Sequence, residues 1–373
     1  MQRDRPCATH YTKDFCMSKQ YDTLVLIGRF QPVHNAHVEI IQRAKTLANK
    51  LVVIVGSARQ PRTYKNPFTA EERIEMLYAA SRSIVDANFS ITFEQNTDSI
   101  YNDQAWLART QALAAKHIKD GDRVGIIGHK KDETSFYLDM FPQWDFINVD
   151  TIEPLNATNI RDLFFRRVDS DRNGMHTHMK FIKNVIPQTT YDFLLKFFYH
   201  TNGINSSEAF NQIINERDFI EVYKRQYASL KYPPIFSTAD AVVICSGHVL
   251  MIRRRAEPGK GLWALPGGYV NAATDRSVED AMLRELREET LIKVPVPVLR
   301  GSIVRSKVFD AIDRSPRGRI ITHAFHIQLA DGELPKVKGN DDAEKARWVP
   351  IAEVKSEECF EDHYEILQHF LGA

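Results

Sequence analysis

Three short runs of aliphatic and β-branched residues, LVLI (24–27), LVVIV (51–55) and RVGIIG (123–128), punctuate the first third of the chain. Strands this uniformly apolar have no face to give to water, a property of parallel sheets covered on both sides by crossover helices. The sequence between them supplies those helices. Ile40, Ile41, Ala44, Leu47 and Ala48 recur at helical spacing and make one apolar stripe. Thr69-x-x-Glu72, within NPFTAEERIEML, is a capping box that opens a second helix. Alternation of strands and helices predicts a doubly wound, Rossmann-like parallel-sheet α/β domain.

The pattern changes further along. Residues 1–20 are polar and read as a tail, and whether Met17 is an alternative start is left open. After Arg167 comes a polar stretch, DSDRNGMHTH, then a helical segment around Tyr191–Tyr199. Residues 201–232 are mixed and end at Pro233-Pro234, which reads as a linker. Beyond it, ADAVVICS and VLMIRRR read as two strands around a Gly247-His248 turn. An acidic helix near 277–290, further strands and a helix near 361–370 complete an α+β domain. The expected organisation is a tail (1–20), an α/β domain (21–200), a linker (201–232) and an α+β domain (233–373).

Composition removes several function classes. The 373 residues carry 49 Lys plus Arg against 48 Asp plus Glu, a net charge of +1, without the basic excess of a nucleic-acid binder. No run approaches the length of a membrane span, and the N-terminus lacks the apolar core of a secretory signal. The cysteines (Cys7, Cys16, Cys245, Cys359) form no CxxC, so neither a disulfide framework nor a zinc site is expected. A cytoplasmic protein without nucleic-acid or membrane partners is expected, and a homo-oligomer is left open.

The first candidate site follows directly from LVLI. The next residues, GRFQPVHNAH (28–37), lie where open α/β sheets bind ligands, beyond a strand's carboxyl end. Gly28 permits a sharp turn, Pro32 stops the strand, and His34 and His37 share one face of the following helix's first turn. A helix N-terminus attracts anions, and imidazoles there would stabilise phosphate charge as it builds. Zinc is disfavoured because position 41, one helical turn on, is Ile. These residues resemble the G-x-F-x-P-x-H-x-x-H signature of the nucleotidyltransferase superfamily, in which Gly28 and Phe30 belong to the substrate site. LNATNIR (155–161) resembles that superfamily's I-S-x-T-x-I-R, with Asn156 in place of Ser as a helix cap. The resemblance implies that Thr158 and Arg161 hold the triphosphate.

GSARQPRTYKNPFTAEERIEM and GHKKDETSFYLDMFPQWD resemble the branch of that superfamily that acts on nicotinamide mononucleotide (NMN). By that resemblance Lys130 and Asp132 lie near NMN, Arg62 and Lys65 meet its phosphate, and Trp144 stacks on nicotinamide or belongs to the core. The implied reaction needs no enzyme nucleophile. The NMN phosphate attacks the α-phosphorus of ATP, pyrophosphate leaves, and NAD forms.

The second candidate site is LRELREET, where Glu285, Glu288 and Glu289 stand at i, i+3 and i+4 on one helical face. Like charges at that spacing destabilise an isolated helix, and a hard divalent cation reverses the sign. Arg284 and Arg287 would relieve the same charges on a merely solvated face. GLWALPGGYV upstream, with Gly267 and Gly268, and the helix itself resemble the Nudix box, G-x5-E-x7-R-E-U-x-E-E-x-G-U. In this chain Val270, Arg276 and Leu291 occupy the box's first Gly, first Glu and last Gly positions, and the loop after Gly268 is two residues longer. The resemblance implies Glu285, Glu288 and Glu289 as ligands for Mg2+, or Mn2+, which would neutralise a diphosphate and help generate hydroxide. RSPRGRIITHAFHI and GNDDAEKARWVP resemble the ADP-ribose pyrophosphatase branch, with Asp341, Asp342 or Glu344 as the general base.

In this order the two motif sets resemble the bifunctional NMN adenylyltransferase/Nudix hydrolase family. The implied activities are NAD synthesis from ATP and NMN, and hydrolysis of ADP-ribose to AMP and ribose 5-phosphate. A nucleotidyltransferase with another acceptor, fused to a Nudix domain that senses ADP-ribose or NAD without cutting it, is the alternative.

Overall fold

The computed structural model describes residues 19–130, 133–150, 156–166, 172–199, 207–339 and 343–372. The N-terminal half runs β1 (Tyr21–Gly28), α1 (Asn35–Leu47), β2 (Ala48–Val55), α2 (Ala70–Ser81), β3 (Ser90–Gln95), α3 (Asp103–Ala115), β4 (Val124–Gly128), a 3-10 helix (Glu133–Met140) and β5 (Asp145–Asn148). Helices α4 (Ala157–Phe164), α5 (Arg172–Ile182), α6 (Gln188–Phe198) and α7 (Glu208–Arg225) follow. The five strands are parallel in the order β3-β2-β1-β4-β5. Chain order reverses between β1 and β4, so the ligand crevice of such a sheet lies beyond Gly28 and Gly128.

Burial explains why these runs are continuous rather than alternating. Leu24, Leu26, Leu51 and Val53 pack in one cluster, with α1, α2 and the helices after β5. Val25, Ile27, Val52 and Ile54 pack on the opposite face, with Ala114 of α3 and Ile126. Both faces are dry, as the doubly wound fold requires.

The C-terminal half runs β6 (Ile235–Cys245), β7 (His248–Arg254), β8 (Trp263–Ala264), β9 (Gly267–Tyr269), α8 (Val278–Thr290), α9 (Val296–Gly301), β10 (Ile303–Phe309), β11 (Arg319–Gln328), β12 (Ala343–Pro350) and α10 (His363–Leu371). Its mixed sheet has the order β10-β11-β6-β7-β12, with β8 paired to β7 and β9 to β6. Ala281, Met282, Leu283 and Leu286 press α8 onto one face, and Ile366, Leu367 and Phe370 press α10 onto the other.

Four sequence readings need correction. The α1 stripe ends at Leu47, and Ala48 already begins β2. The polar stretch after Arg167 contains α5, because a single apolar face suffices for a packed helix. The turn between β6 and β7 is Ser246-Gly247, with φ of 46° and 72°, and Cys245 pairs with His248. Two positive φ angles make the tight two-residue hairpin whose twist matches the strands. Finally, the segment expected as a linker contains α7. Phe210, Ile213 and Ile214 of that helix are buried in the N-terminal core, so it is an integral element. The expected tail lies, except for Lys19 and Gln20, outside the described residues.

Candidate active sites

Gly28 ends β1, and a Cβ there would stand 2.8 Å from the Phe30 ring. Phe30 reaches that position by adopting φ of 54°, a left-handed backbone costing a non-glycine residue roughly 1–2 kcal/mol. Its buried ring meets His37 edge-on, with centroids 4.8 Å apart. The chain then enters α1, with His34 as N-cap and His37 at the third helical position. The two imidazole centroids lie 3.8 Å apart, with the ring planes tilted by 32°.

Their protonation follows from geometry. The His34 backbone N–H donates to His37 Nδ1 at 3.2 Å, which leaves the neutral ring's proton on Nε2 as a donor. Burial pushes His37 well below the usual histidine value, and His34 reinforces the shift. Burial lowers His34 to about 4. Both rings are therefore neutral near pH 7. His34 Nδ1 is buried and has no hydrogen-bond partner among the described residues.

Helix α4 brings the second motif to this turn. Asn156 caps it by accepting from the Thr158 and Asn159 N–H groups at 3.0 and 3.1 Å. Arg161, 7% exposed, donates from Nη1 to the Gln31 carbonyl at 2.7 Å and from Nη2 to Thr158 Oγ1 at 3.1 Å. Among the described residues its buried Nε has no hydrogen-bond partner and no carboxylate pairs with it. Burial, and then Arg29, lower its pKa to about 10, so it stays cationic. A buried cation without a carboxylate, beside a helix N-terminus and two neutral imidazoles, is an arrangement that calls for an anion.

The remaining residues expected near NMN are placed less uniformly. Arg62 makes two hydrogen bonds to the Glu72 carboxylate, at 2.7 and 2.6 Å. Lys65 pairs with Asp313 of the C-terminal half at 2.7 Å, and Lys130 pairs with Asp139 at 2.7 Å. Trp144 stacks on buried Phe141, with centroids 4.8 Å apart and planes 8° apart, so one face of its indole is packed. Asp132 lies outside the described residues.

The second site joins β9 to α8. Ser277 caps α8 by accepting from the Asp280 N–H at 3.0 Å. Gly267 N–H donates to Glu289 Oε2 at 2.8 Å, and a Cβ on Gly268 would stand 2.6 Å from the Glu285 carboxyl. The two glycines thus let β9 lie directly on the carboxylates. Arg284 pairs with Asp275, Glu285 and Glu288 at 2.8, 2.7 and 2.9 Å, and donates to the Tyr269 carbonyl. Its hydrogen bonds hold Asp275 at about 2. Burial raises Glu285 above its usual range and pushes Glu289 up to about 8. The three glutamates share a helical face, but Glu289 turns inward (7% exposed) and Glu288 outward. Among the described residues no three such side chains are gathered closely enough to hold an ion. Glu344 is exposed near Arg253, while Asp341 and Asp342 lie outside the described residues.

Comparison with known proteins accounts for both sites together. The cytidylyltransferase-like family profile matches residues 25–163, and the NUDIX domain profile matches 236–370. A nicotinamide/nicotinic acid mononucleotide adenylyltransferase of Acinetobacter baylyi is 35% identical over 179 residues, 48% of this chain and 87% of that protein. An ADP-ribose pyrophosphatase of Methanocaldococcus jannaschii is 31% identical over 160 residues, 43% of this chain and 83% of that protein. The crystal structure of a bifunctional NMN adenylyltransferase/ADP ribose pyrophosphatase from Francisella tularensis superposes with a TM-score of 0.83. It is 33% identical and the match covers 94% of this chain and 99% of that one. The chain belongs to this bifunctional family. A second Francisella structure, complexed with AMP and a Mn ion, matches with a TM-score of 0.81 at 32% identity, covering 94% of this chain and 99% of that one.

Three contributors in this family member escape its motifs. Buried Arg73 donates to the carbonyls of Arg29, Gly56, Ser57 and Thr69, fastening the loops after β1 and β2. Buried Gln31 exchanges two hydrogen bonds with the Phe68 backbone. In the Nudix half, Asp275 joins Glu285 and Glu288 as a partner of Arg284; it stands one position before Arg276, where the family pattern has its first Glu. Tertiary pairing selects each of them, and only Asp275 had a sequence signal, as an acid displaced within a lengthened loop.

Proposed function

We propose that the N-terminal half transfers AMP from ATP to NMN, giving NAD and pyrophosphate, and that the C-terminal half hydrolyses ADP-ribose to AMP and ribose 5-phosphate. The observation that carries the first assignment is Arg161, buried, cationic and lacking a carboxylate, locked onto the turn bearing His34 and His37. An NMN phosphate oxygen attacks the α-phosphorus, and the bond from that phosphorus to the α–β bridging oxygen breaks. Arg161 and Thr158 would hold the departing pyrophosphate, while the His37 Nε2–H, neutral throughout, would donate to phosphate oxygens as charge shifts. With no nucleophile from the protein, the barrier falls by alignment and charge stabilisation.

The carboxylate helix fits a divalent cation in chemistry and in charge. Glu285, Glu288 and Glu289 offer hard oxygen ligands, and burial, with the Glu285 carboxylate adding to it, pushes Glu289 up to about 8 against the opposing pull of the Gly267 N–H and Arg254. We assign these three residues to the metal and Mg2+ as its identity. When bound, the ion supplies positive charge to the diphosphate and acidifies water. Gly267 and Gly268 let β9 lie against Glu289 and Glu285, and Arg284 pairs with Glu285 and Glu288. The presence of all three glutamates favours hydrolysis over sensing. A cytoplasmic location is also proposed, consistent with free, buried Cys245 and Cys359. No helix among the described residues is long and apolar enough to cross a membrane.

The test is to incubate the purified chain with Mg2+ plus ATP and NMN, and separately with Mg2+ plus ADP-ribose, and to identify products by mass. NAD with pyrophosphate, and AMP with ribose 5-phosphate, are the expected pairs. Absence of either pair refutes the corresponding half.

A further inference from the structure

Tyr269 ends β9, one residue beyond the glycine that touches Glu285, and its carbonyl accepts from Arg284. Its hydroxyl lies 3.1 Å from that of Tyr223 and accepts from Arg317 Nη1 at 3.3 Å. Phe236 meets its ring edge-on, with centroids 5.8 Å apart, and Arg317 sits 6.0 Å from the ring centre. Arg317 is itself fixed by Glu361 and Ser315. Backbone, hydroxyl and ring edge are all held, yet the residue remains 37% exposed. Tyr223 comes from α7, whose Phe210, Ile213 and Ile214 lie in the core of the other half.

A partly exposed, immobilised ring, on a residue whose carbonyl accepts from the arginine paired with the metal-type carboxylates, offers a flat face whose ordering cost is already met. The ligand chemistry suited to it is a nucleobase attached to a diphosphate, because every base has a face that stacks on an aromatic side chain. We infer that Tyr269 is a base-stacking residue of the second site, and that Tyr223, contributed by the N-terminal half, is its positioning residue. The inference rests on the proposed hydrolysis of ADP-ribose.

The experiment uses the full chain with Mn2+ and the variants Tyr269→Leu, Tyr223→Leu and Tyr223→Phe. It reads kcat and KM for ADP-ribose, inhibition by AMP and by ribose 5-phosphate, and adenylyl transfer as the control for folding. For Tyr269→Leu the KM is expected to rise about tenfold or more with kcat little changed, and AMP inhibition to weaken in parallel. Ribose 5-phosphate, which has no base, should inhibit as before. Tyr223→Leu should shift KM and AMP inhibition in the same direction, and Tyr223→Phe, which keeps the ring, should shift them less. Equal weakening of both inhibitors, or a fall in kcat at constant KM, overturns the stacking role of Tyr269. Unchanged KM in both Tyr223 variants overturns the positioning role. If the unmodified chain does not cleave ADP-ribose, the proposed activity fails, and equilibrium binding of AMP then decides: loss in Tyr269→Leu sustains the stacking role and retention overturns it.

Discussion

His37 combines two constraints. Its Nδ1 is committed to the His34 N–H, and burial keeps the ring neutral, so the group it has to offer in the proposed reaction is one N–H donor at Nε2. Replacing it by Ala should lower kcat for NAD formation by about 10²-fold or more, the scale for losing a donor to a charged transition state. Because neither histidine titrates near its ordinary value, kcat should show no inflection between pH 6 and 8 that His37→Asn abolishes. A rate governed by an imidazole pKa near 6.5 would contradict the assigned tautomer. At this scale the sequence was informative where spacing itself makes a structure. Residues 28–37 form one turn, and the cap at Asn156 places Thr158 and Arg161 on the next helix's first turn and a half. It was silent where a side chain's partner is far away in sequence. The resemblance puts Arg62 and Lys65 at the NMN phosphate, but Glu72 and Asp313 hold them. Only the fold brings those carboxylates near.

Among the elements, α8 departs instructively from the Nudix pattern. Leu291 replaces its terminal Gly and sits at φ of 44° as the left-handed C-cap, where a glycine is relieved of strain. Leu291→Gly should stabilise the chain by about 0.5–1 kcal/mol, the left-handed penalty less the extra chain entropy of glycine. Urea unfolding checks it, and a destabilised variant would show that the Leu side chain outweighs its backbone cost. Helix α7 was read as a linker because its polar residues mask a narrow apolar face. It also carries Glu216, buried, accepting the Tyr64 N–H at 2.6 Å and raised to about 8 by burial, with Glu257 and Glu361 adding to the shift. The folded state therefore favours the protonated acid. Its contribution to stability is complete below the unfolded carboxylate pKa, near 4.5, and is lost as pH rises through about 8. Melting temperature should fall from pH 5 to pH 8.5, and Glu216→Gln should fall less over that window. An equal slope in both proteins would remove Glu216 as a source of the dependence.

Across the whole molecule, the two halves meet through polar groups as well as rings. Asp362, at the start of α10, is buried against Arg314 at 2.7 Å and accepts from the Tyr101 hydroxyl of the N-terminal half. Asp362→Ala should cost about 3–5 kcal/mol, because it leaves a buried guanidinium unpaired. A loss below about 1 kcal/mol on urea unfolding would mean that water reaches Arg314. The two domains and their fold classes were legible in the periodicities of the sequence, whereas this junction was not, since hydrophobic patterning says little about which polar groups become partners. Two chemistries on one chain also imply that each can be removed alone. The most direct test measures both reactions in His37→Ala and Glu289→Gln, each as the full chain with Mg2+. His37→Ala should lose NAD formation and keep ADP-ribose hydrolysis, and Glu289→Gln should do the reverse. Retention by either variant of the reaction it should lose would contradict two separate diphosphate sites built on these residues.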